Sequence, residues 1–210
     1  MGIFDHLRKR STAPVTSGSV VEKPYLVVGL GNPGADYSNT RHNLGFMVAD
    51  ALAGKLNANY WKSLGGAVLA ECEHQGRPLV LAKPQSFMND SGKPVKSLLK
   101  YYGYAEGNLD SLLVIHDELD LPEGVLRLKS GGGHGGHRGI LSIIENVGSD
   151  FARLRIGVGR PPGKMQAIKF VLEQVKGDTL VELETSVQQA VPILMAVLDD
   201  GLQVAMNRFN

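Results

Sequence analysis

The sequence predicts an α/β fold: a single domain on a mixed, mostly parallel twisted sheet covered by helices, in three α/β/α layers. Three observations point there. Short apolar, partly β-branched runs alternate with segments of helical periodicity, the order that builds parallel strands. Two consecutive alternating runs interrupt that order as a hairpin, so the sheet is mixed. The 210 residues, 43% hydrophobic and 20% charged, suffice for one sizeable core, and they contain no internal repeat.

Residues 1–23, centred on RKRSTAPVTSGS, are polar, basic and turn-rich; they read as a mobile leader in which Phe4 to Arg8 could form one helical turn. The domain then spans 24–210. Tyr25-Leu26-Val27-Val28 is a buried strand stopping at Gly29. Leu44, Phe46, Met47, Ala49, Ala51 and Leu52 give a helix an apolar face up to Gly54, with Thr40 or Asn39 as its cap. Beyond Tyr60-Trp61, the alternating runs Ala67 to Glu73 and Pro78 to Ala82 flank His74-Gln75-Gly76-Arg77 and form the hairpin. Lys93 to Tyr102 repeats at helical spacing, and Leu112 to Ile115 and Val125 to Leu128 are strands. Ile140 to Val147 is a helix after a glycine-rich loop, and Leu154 to Val158 is a further strand. Thr179 to Glu182 fits a capping box for a long helix whose face is Leu180, Leu183, Val187, Val191 and Leu194, bent near Pro192 and ended by Gly201.

Composition limits the function classes. No apolar run approaches the ~20 residues of a membrane span, and no apolar signal core follows the basic N-terminus, so the expected location is the cytoplasm. Cys72 is the one cysteine; it excludes a disulfide framework and reads as a strand thiol rather than a nucleophile. The formal net charge of +1 conceals an asymmetry. Residues 127–169 hold eight Lys or Arg against two acids, whereas 171–210 hold two against six. The basic segment is a candidate phosphate footprint, which a solvated charged surface would equally produce.

Gly29-Leu30-Gly31-Asn32-Pro33-Gly34 matches the dinucleotide pattern G-x-G-x-x-G after a strand. That fingerprint needs a helix opening on the glycines to meet a pyrophosphate, and here Pro33-Gly34 and several polar residues intervene; no cofactor is expected. Instead Asn32, Tyr37, Arg41, His42 and Asn43 lie on the strand-to-helix connection, where open α/β sheets bind ligands. Three further clusters share that character: Pro84 to Gly92 with Asn89, His116 to Asp120 after a buried strand, and Gly131 to Gly139 with His134, His137 and Arg138. Each has an ordinary structural reading as turn, cap or flexible loop.

Together the four connections supply a histidine, a carboxylate and two amides, with no G-x-S-x-G and no cysteine nucleophile motif. That inventory suits a water nucleophile: an imidazole takes the proton, a carboxylate fixes its tautomer, and amides hold the substrate. His42, from the first-turn cluster, is the expected base and Asp117, ending a buried strand, its partner. His116, Asp117, Glu118, Asp120, His134 and His137 follow no recognised metal-ligand spacing, so no metal is expected.

The motifs GLGNPGADYSNTRHNLG, FMNDSG, HDELDLP, GGGHGGHRG and RLRIGVGRPPG, in that order from about Tyr25 to Arg208, resemble those of bacterial-type peptidyl-tRNA hydrolase. The resemblance implies an esterase that cleaves peptide from the 3′-terminal ribose of tRNA and recycles prematurely released peptidyl-tRNA, as a single α/β domain without metal and as a monomer. It implies His42 as general base, Asp117 as its orienting partner, Asn32 as the residue distinguishing blocked from free aminoacyl groups, and Tyr37, Phe87 and Asn89 as substrate contacts. Arg127 and Arg155 resemble the basic pair that grips the tRNA 5′-phosphate, Arg127 standing for a Lys of some members. Arg138 departs from the family, which usually carries a substrate-contacting Asn there. That departure leaves one alternative, a non-catalytic RNA-binding homologue of the same fold.

Overall fold

A computed structural model describes residues 22–210. The leader and its helical turn at Phe4 to Arg8 lie outside the described residues. Seven strands are ordered β2-β3-β4-β1-β5-β7-β6: β1 (Tyr25–Gly29), β2 (Trp61–Leu64), β3 (Ala67–His74), β4 (Arg77–Pro84), β5 (Leu112–Glu118), β6 (Leu126–Ser130) and β7 (Ala152–Gly157). The four central strands β4, β1, β5 and β7 run parallel, and β2, β3 and β6 are antiparallel additions on the two sides. The helices are α1 (Leu44–Lys55), α2 (Gly92–Tyr101), α3 (Arg138–Val147), α4 (Ala167–Leu172), α5 (Gly177–Asp200) and α6 (Leu202–Phe209).

The alternation of side chains along the strands makes two cores. Val27, Leu81, Leu113, Ile115 and Leu154 face α1 and α5. Leu26, Val28, Val80, Leu112 and Val114 face α2 and α3. Central strands buried on both faces read as continuous apolar runs for this reason.

Several boundaries differ from the sequence expectation, each for a local reason. The helix after β1 opens as a 3-10 turn, Arg41–Asn43, before α1 begins at Leu44, and the Thr40 hydroxyl donates back to the Tyr37 carbonyl instead of capping. Gly54 does not stop α1. The stop is Asn57, whose φ of 56° is left-handed, with Ala58 N–H bonding the Ala53 carbonyl and Asn57 N–H the Gly54 carbonyl, a Schellman ending. The hairpin loop is two residues, Gln75 and Gly76, both at positive φ, with His74 paired to Arg77. Thr179 lies inside α5, which starts at Gly177 and runs unbroken through Pro192, so the capping box is not formed. Gly201 does end it, at φ 85°, and α6 follows. β2, α4 and α6 were not anticipated. The side chain of Asn210, beyond α6, pairs with both backbone groups of Leu128 and covers part of edge strand β6.

The carboxyl ends of β1, β4 and β5 fall on one side of the sheet, bringing three of the four polar clusters together. The fourth arrives differently. β6 runs antiparallel, so the glycine loop leaves the opposite end of the sheet, where Gly131 N–H bonds the Phe151 carbonyl. Arg153 of β7 then holds the Gly132 and Gly133 carbonyls as the loop returns to place His137 at the start of α3 beside the carboxyl end of β5.

The β1 connection and α1 approach closely. A Cβ on Gly45 would lie 2.3 Å from Leu30 N and 2.5 Å from the Ile115 carbonyl oxygen, both backbone atoms. Gly45→Ala is therefore expected to destabilise the fold by about 2 kcal/mol through overpacking, a fall in Tm of about 4–8 °C measurable by calorimetry; an unchanged Tm would show that the contact relaxes freely.

Candidate active site

Three elements meet at one carboxylate. Asp117, near the end of β5, is 3% exposed. The His42 Nδ1 lies 2.9 and 3.1 Å from its two oxygens, and the His137 Nε2 lies 3.0 Å from Oδ1. His42 comes from the 3-10 turn before α1, and His137 is the N-cap of α3.

The partners fix the protons. His137 Nδ1 accepts the backbone N–H groups of Gly139 and Ile140, at 3.1 and 3.2 Å, so its proton sits on Nε2 and is donated to Asp117. His42 likewise donates from Nδ1 to the carboxylate, which leaves its Nε2 as a lone pair. His42, Asp117 and His137 have the composition of a metal site, their ligand atoms lying within 4.8 Å of one another. The hydrogen bonds argue against that reading, because metal on His137 Nε2 would require an imidazolate or the loss of both helix-capping bonds.

Burial by itself would lower the His42 imidazole, but the charge and hydrogen bond of Asp117 outweigh it and hold the group above its ordinary 6.5. Burial would raise the Asp117 carboxyl, and the two imidazoles override it, keeping it well below the usual carboxylate range. The base is thus strengthened by a partner that stays ionised.

The pair opens on a cleft of about 190 Å³. His42, Asp117, His137 and Arg138 line it from the sheet side, and Ala167, Ile168 and Val171 of α4 form the facing apolar wall. Arg41 ties that wall to the catalytic turn by stacking on Phe170, 4.0 Å from the ring centre, and bonding its carbonyl. A roomier hollow of about 460 Å³, lined by Leu99, Tyr104 and Val147 among others, contains no histidine.

The expected substrate residues divide into fixed and open groups. Asn32 is buried, and its side-chain oxygen accepts Met88 N–H at 2.8 Å, which joins the exits of β1 and β4 and leaves Nδ2 as an outward donor. Asn43, which the sequence placed on this connection without giving it a role, clamps both backbone groups of Asn32 at 2.9 Å. Its place beside His42 was the available signal. Tyr37 is half-buried, Phe87 (62% exposed) and Asn89 lie in the open, and none of the three is among the residues lining the cleft. His137 was seen in the sequence only as part of a histidine-rich loop; its capping role needed the helix start.

The two members of the expected basic pair are placed differently. Arg127 and Arg155 are cross-strand neighbours, but the Arg127 guanidinium bonds the Leu126 carbonyl and does not line the adjoining cavity. That cavity, of about 250 Å³, is lined by Lys129, Arg153 and Arg155 together with His116, Glu118 and His134. Lys129, two residues on, shares the face of Arg127 and is among the residues that line the cavity.

A buried His–Asp pair at the carboxyl edge of an α/β sheet, with no Ser or Cys among the residues lining its cleft, is a geometry that can activate water for hydrolysis. The peptidyl-tRNA hydrolase family model matches residues 26–210. Peptidyl-tRNA hydrolases of Mycobacterium tuberculosis and Mycobacterium avium are 47% and 45% identical to the chain over 188 residues, 89% of this chain and 97% of theirs. The crystal structure of peptidyl-tRNA hydrolase from Acinetobacter baumannii superposes with a TM-score of 0.81 at 35% identity, covering 92% of this chain and 97% of that one. The chain belongs to the peptidyl-tRNA hydrolase family.

The geometry makes a direct expectation for titration. The His42 ring, followed by NMR, should titrate with a midpoint above 6.5. In Asp117→Asn the negative charge is gone and burial remains, so the midpoint should fall below that of the parent. A midpoint that does not move would remove Asp117 as the cause.

Proposed function

We propose that the chain hydrolyses the ester between a peptide and the 3′-terminal ribose of tRNA, with His42 as general base. The observation that carries this reading is the His42–Asp117 pair, which leaves Nε2 unprotonated in a cleft of a family member. Nε2 takes a proton from water as its oxygen attacks the ester carbonyl. The tetrahedral intermediate collapses, and the imidazolium returns the proton to the departing ribose oxygen. The products are a peptide acid and tRNA with a free 3′ end.

The surroundings suit the two ends of such a substrate. Asn32 Nδ2 is positioned to donate to the acyl group, and a neutral amide in the peptide would fit where a charged free amine would be desolvated without a partner. The apolar wall of α4, with Ile168 46% exposed, suits peptide side chains. Tyr37, Phe87 and Asn89 form the outer contacts. The cavity of Lys129, Arg153 and Arg155 suits the 5′-phosphate of the same tRNA. The enzyme works as a cytoplasmic monomer in this reading; no helix among the described residues is long and apolar enough to cross a membrane. The intact His–Asp pair disfavours a non-catalytic RNA-binding role.

His42→Ala should lower turnover on N-acetyl-aminoacyl-tRNA by about 10² to 10⁴, the range for loss of a positioned base, while binding of deacylated tRNA persists. Normal turnover in that variant would overturn the mechanism.

Arg138 is the first residue of α3 and lies exposed on the cleft wall. An always-charged donor there reaches the RNA backbone but cannot accept a hydrogen bond as an Asn amide would. Arg138→Asn is expected to raise turnover and to reduce the salt slope of binding by about 0.7, one single-strand phosphate contact. An unchanged slope in a binding titration would place Arg138 off the RNA.

A further inference from the structure

His116 is a buried histidine that the hydrolytic chemistry does not use. It is 2% exposed, and its Nδ1 lies 2.7 Å from the backbone oxygen of Asp117. A carbonyl can only accept, so the proton sits on Nδ1 and Nε2 presents a lone pair. That nitrogen has no hydrogen-bond partner among the described residues. The ring lines the basic cavity, where Arg153 Nε and Arg155 Nε are likewise buried and unpaired. The carboxylates of Glu118 and Asp120 also line the cavity, but they are paired with Arg155 and Arg160; the His116 nitrogen is the acceptor left without a partner, so an occupant must accept from the arginines and donate to the histidine.

We propose that His116 reads the 5′ end of the RNA as a terminal phosphate monoester, by accepting a proton that a phosphodiester cannot supply. The inference rests on the assignment of the cavity to the 5′-phosphate. A terminal phosphomonoester loses its second proton near pH 6. Bound with that proton, it offers an O–H donor to Nε2 and unprotonated oxygens to Lys129, Arg153 and Arg155. Placing the proton on Nε2 gives the same composition, so the complex holds one proton that the free partners shed above that pH. An internal or capped phosphodiester has no such proton, and its oxygens would face the Nε2 lone pair. The cavity thereby rejects an RNA segment that merely passes through it.

The groups around His116 support this economy. His137 lies 4.9 Å away between ring centres, with Arg153, Arg155, Lys129 and His134 on the cavity side and Asp117 and Glu118 from β5 itself. Glu118 already faces Arg155, at 3.6 Å. Burial first, then His137, pushes His116 down to about 3, so the empty cavity holds it unprotonated and the proton arrives with the ligand.

The test uses deacylated acceptor-stem minihelices with a 5′-monophosphate, a 5′-methyl-phosphodiester or a 5′-hydroxyl. The unaltered protein should bind the monophosphate about tenfold more tightly than the methyl ester at pH 6, the worth of one buried hydrogen bond, and the advantage should shrink by pH 8. Calorimetry at pH 7.5 in buffers of different ionisation enthalpy should record uptake of about one proton with the monophosphate and none with the methyl ester. In His116→Gln, whose amide can donate to either ligand, the ratio of the two affinities should approach one and lose its pH dependence. The ratio is taken within each protein, so a general loss of stability cancels, and the calorimetry stands without the variant. If monophosphate and methyl ester bind alike, both more tightly than the hydroxyl and without proton uptake, the role of His116 fails while the phosphate cavity stands. If all three bind alike, the cavity assignment itself fails.

Discussion

The structure depends on keeping one carboxylate charged where water is nearly absent. A buried ion costs several kcal/mol unless its lone pairs are taken up, and Asp117 meets that cost with N–H donors from His42 and His137 at 2.9 and 3.0 Å. The donors belong to different layers. His42 precedes α1, His137 caps α3, and Asp117 lies next to the end of β5, so one charge fastens both helical layers to the carboxyl edge of the sheet. Removing either histidine would leave a poorly satisfied anion in the interior, and its cost would fall on the fold as well as on the chemistry.

Direction in this network is set from the backbone. The amides of Gly139 and Ile140 can only donate, so His137 Nδ1 must accept, Nε2 must carry hydrogen, and Asp117 must accept. With Asp117 committed as acceptor, His42 Nδ1 holds its proton and Nε2 is left as the base. The first turn of α3 thus sets the tautomer of His137, and the ionised carboxylate sets that of His42. Gly139 also lets α3 pack closely here: a Cβ there would lie 2.4 Å from Met88 Sδ, so the Met88 side chain would have to shift.

Where local chemistry governed the outcome, the sequence was readable. The buried strands declared themselves as apolar runs, and the His42–Asp117 pair followed from which connections leave parallel strands on one side. Helix beginnings and ends were harder. Thr40 and Thr179 have the side chains of caps, but a hydroxyl competes for several nearby carbonyls, and Thr40 chose Tyr37. Gly54 resembled a stop although the left-handed residue was Asn57. α4 has no strong amphipathic signature because it packs through Phe170 and Val171 on a turn distant in sequence, held by Arg41. That Lys129 lines the basic cavity and Arg127 does not depends on side-chain direction, which the sequence does not carry, since the two stand on one face of β6.

The two-residue period of β5 separates the two tasks of the site. Ile115 and Asp117 belong to the face that carries α1, whereas Val114, His116 and Glu118 belong to the other, beside Arg153 and Arg155 of β7. Adjacent residues therefore line different cavities: Asp117 faces the cleft of His42, and His116 lines the basic pocket. Their coupling runs through His137, which bonds the first and packs edge-on against the second at 4.9 Å. Slipping the strand by one residue would exchange the faces and put a histidine where the ionised carboxylate must be, so the pairing of Leu26 with Leu112 and of Leu113 with Ala152 is as much a condition of the chemistry as the histidines themselves.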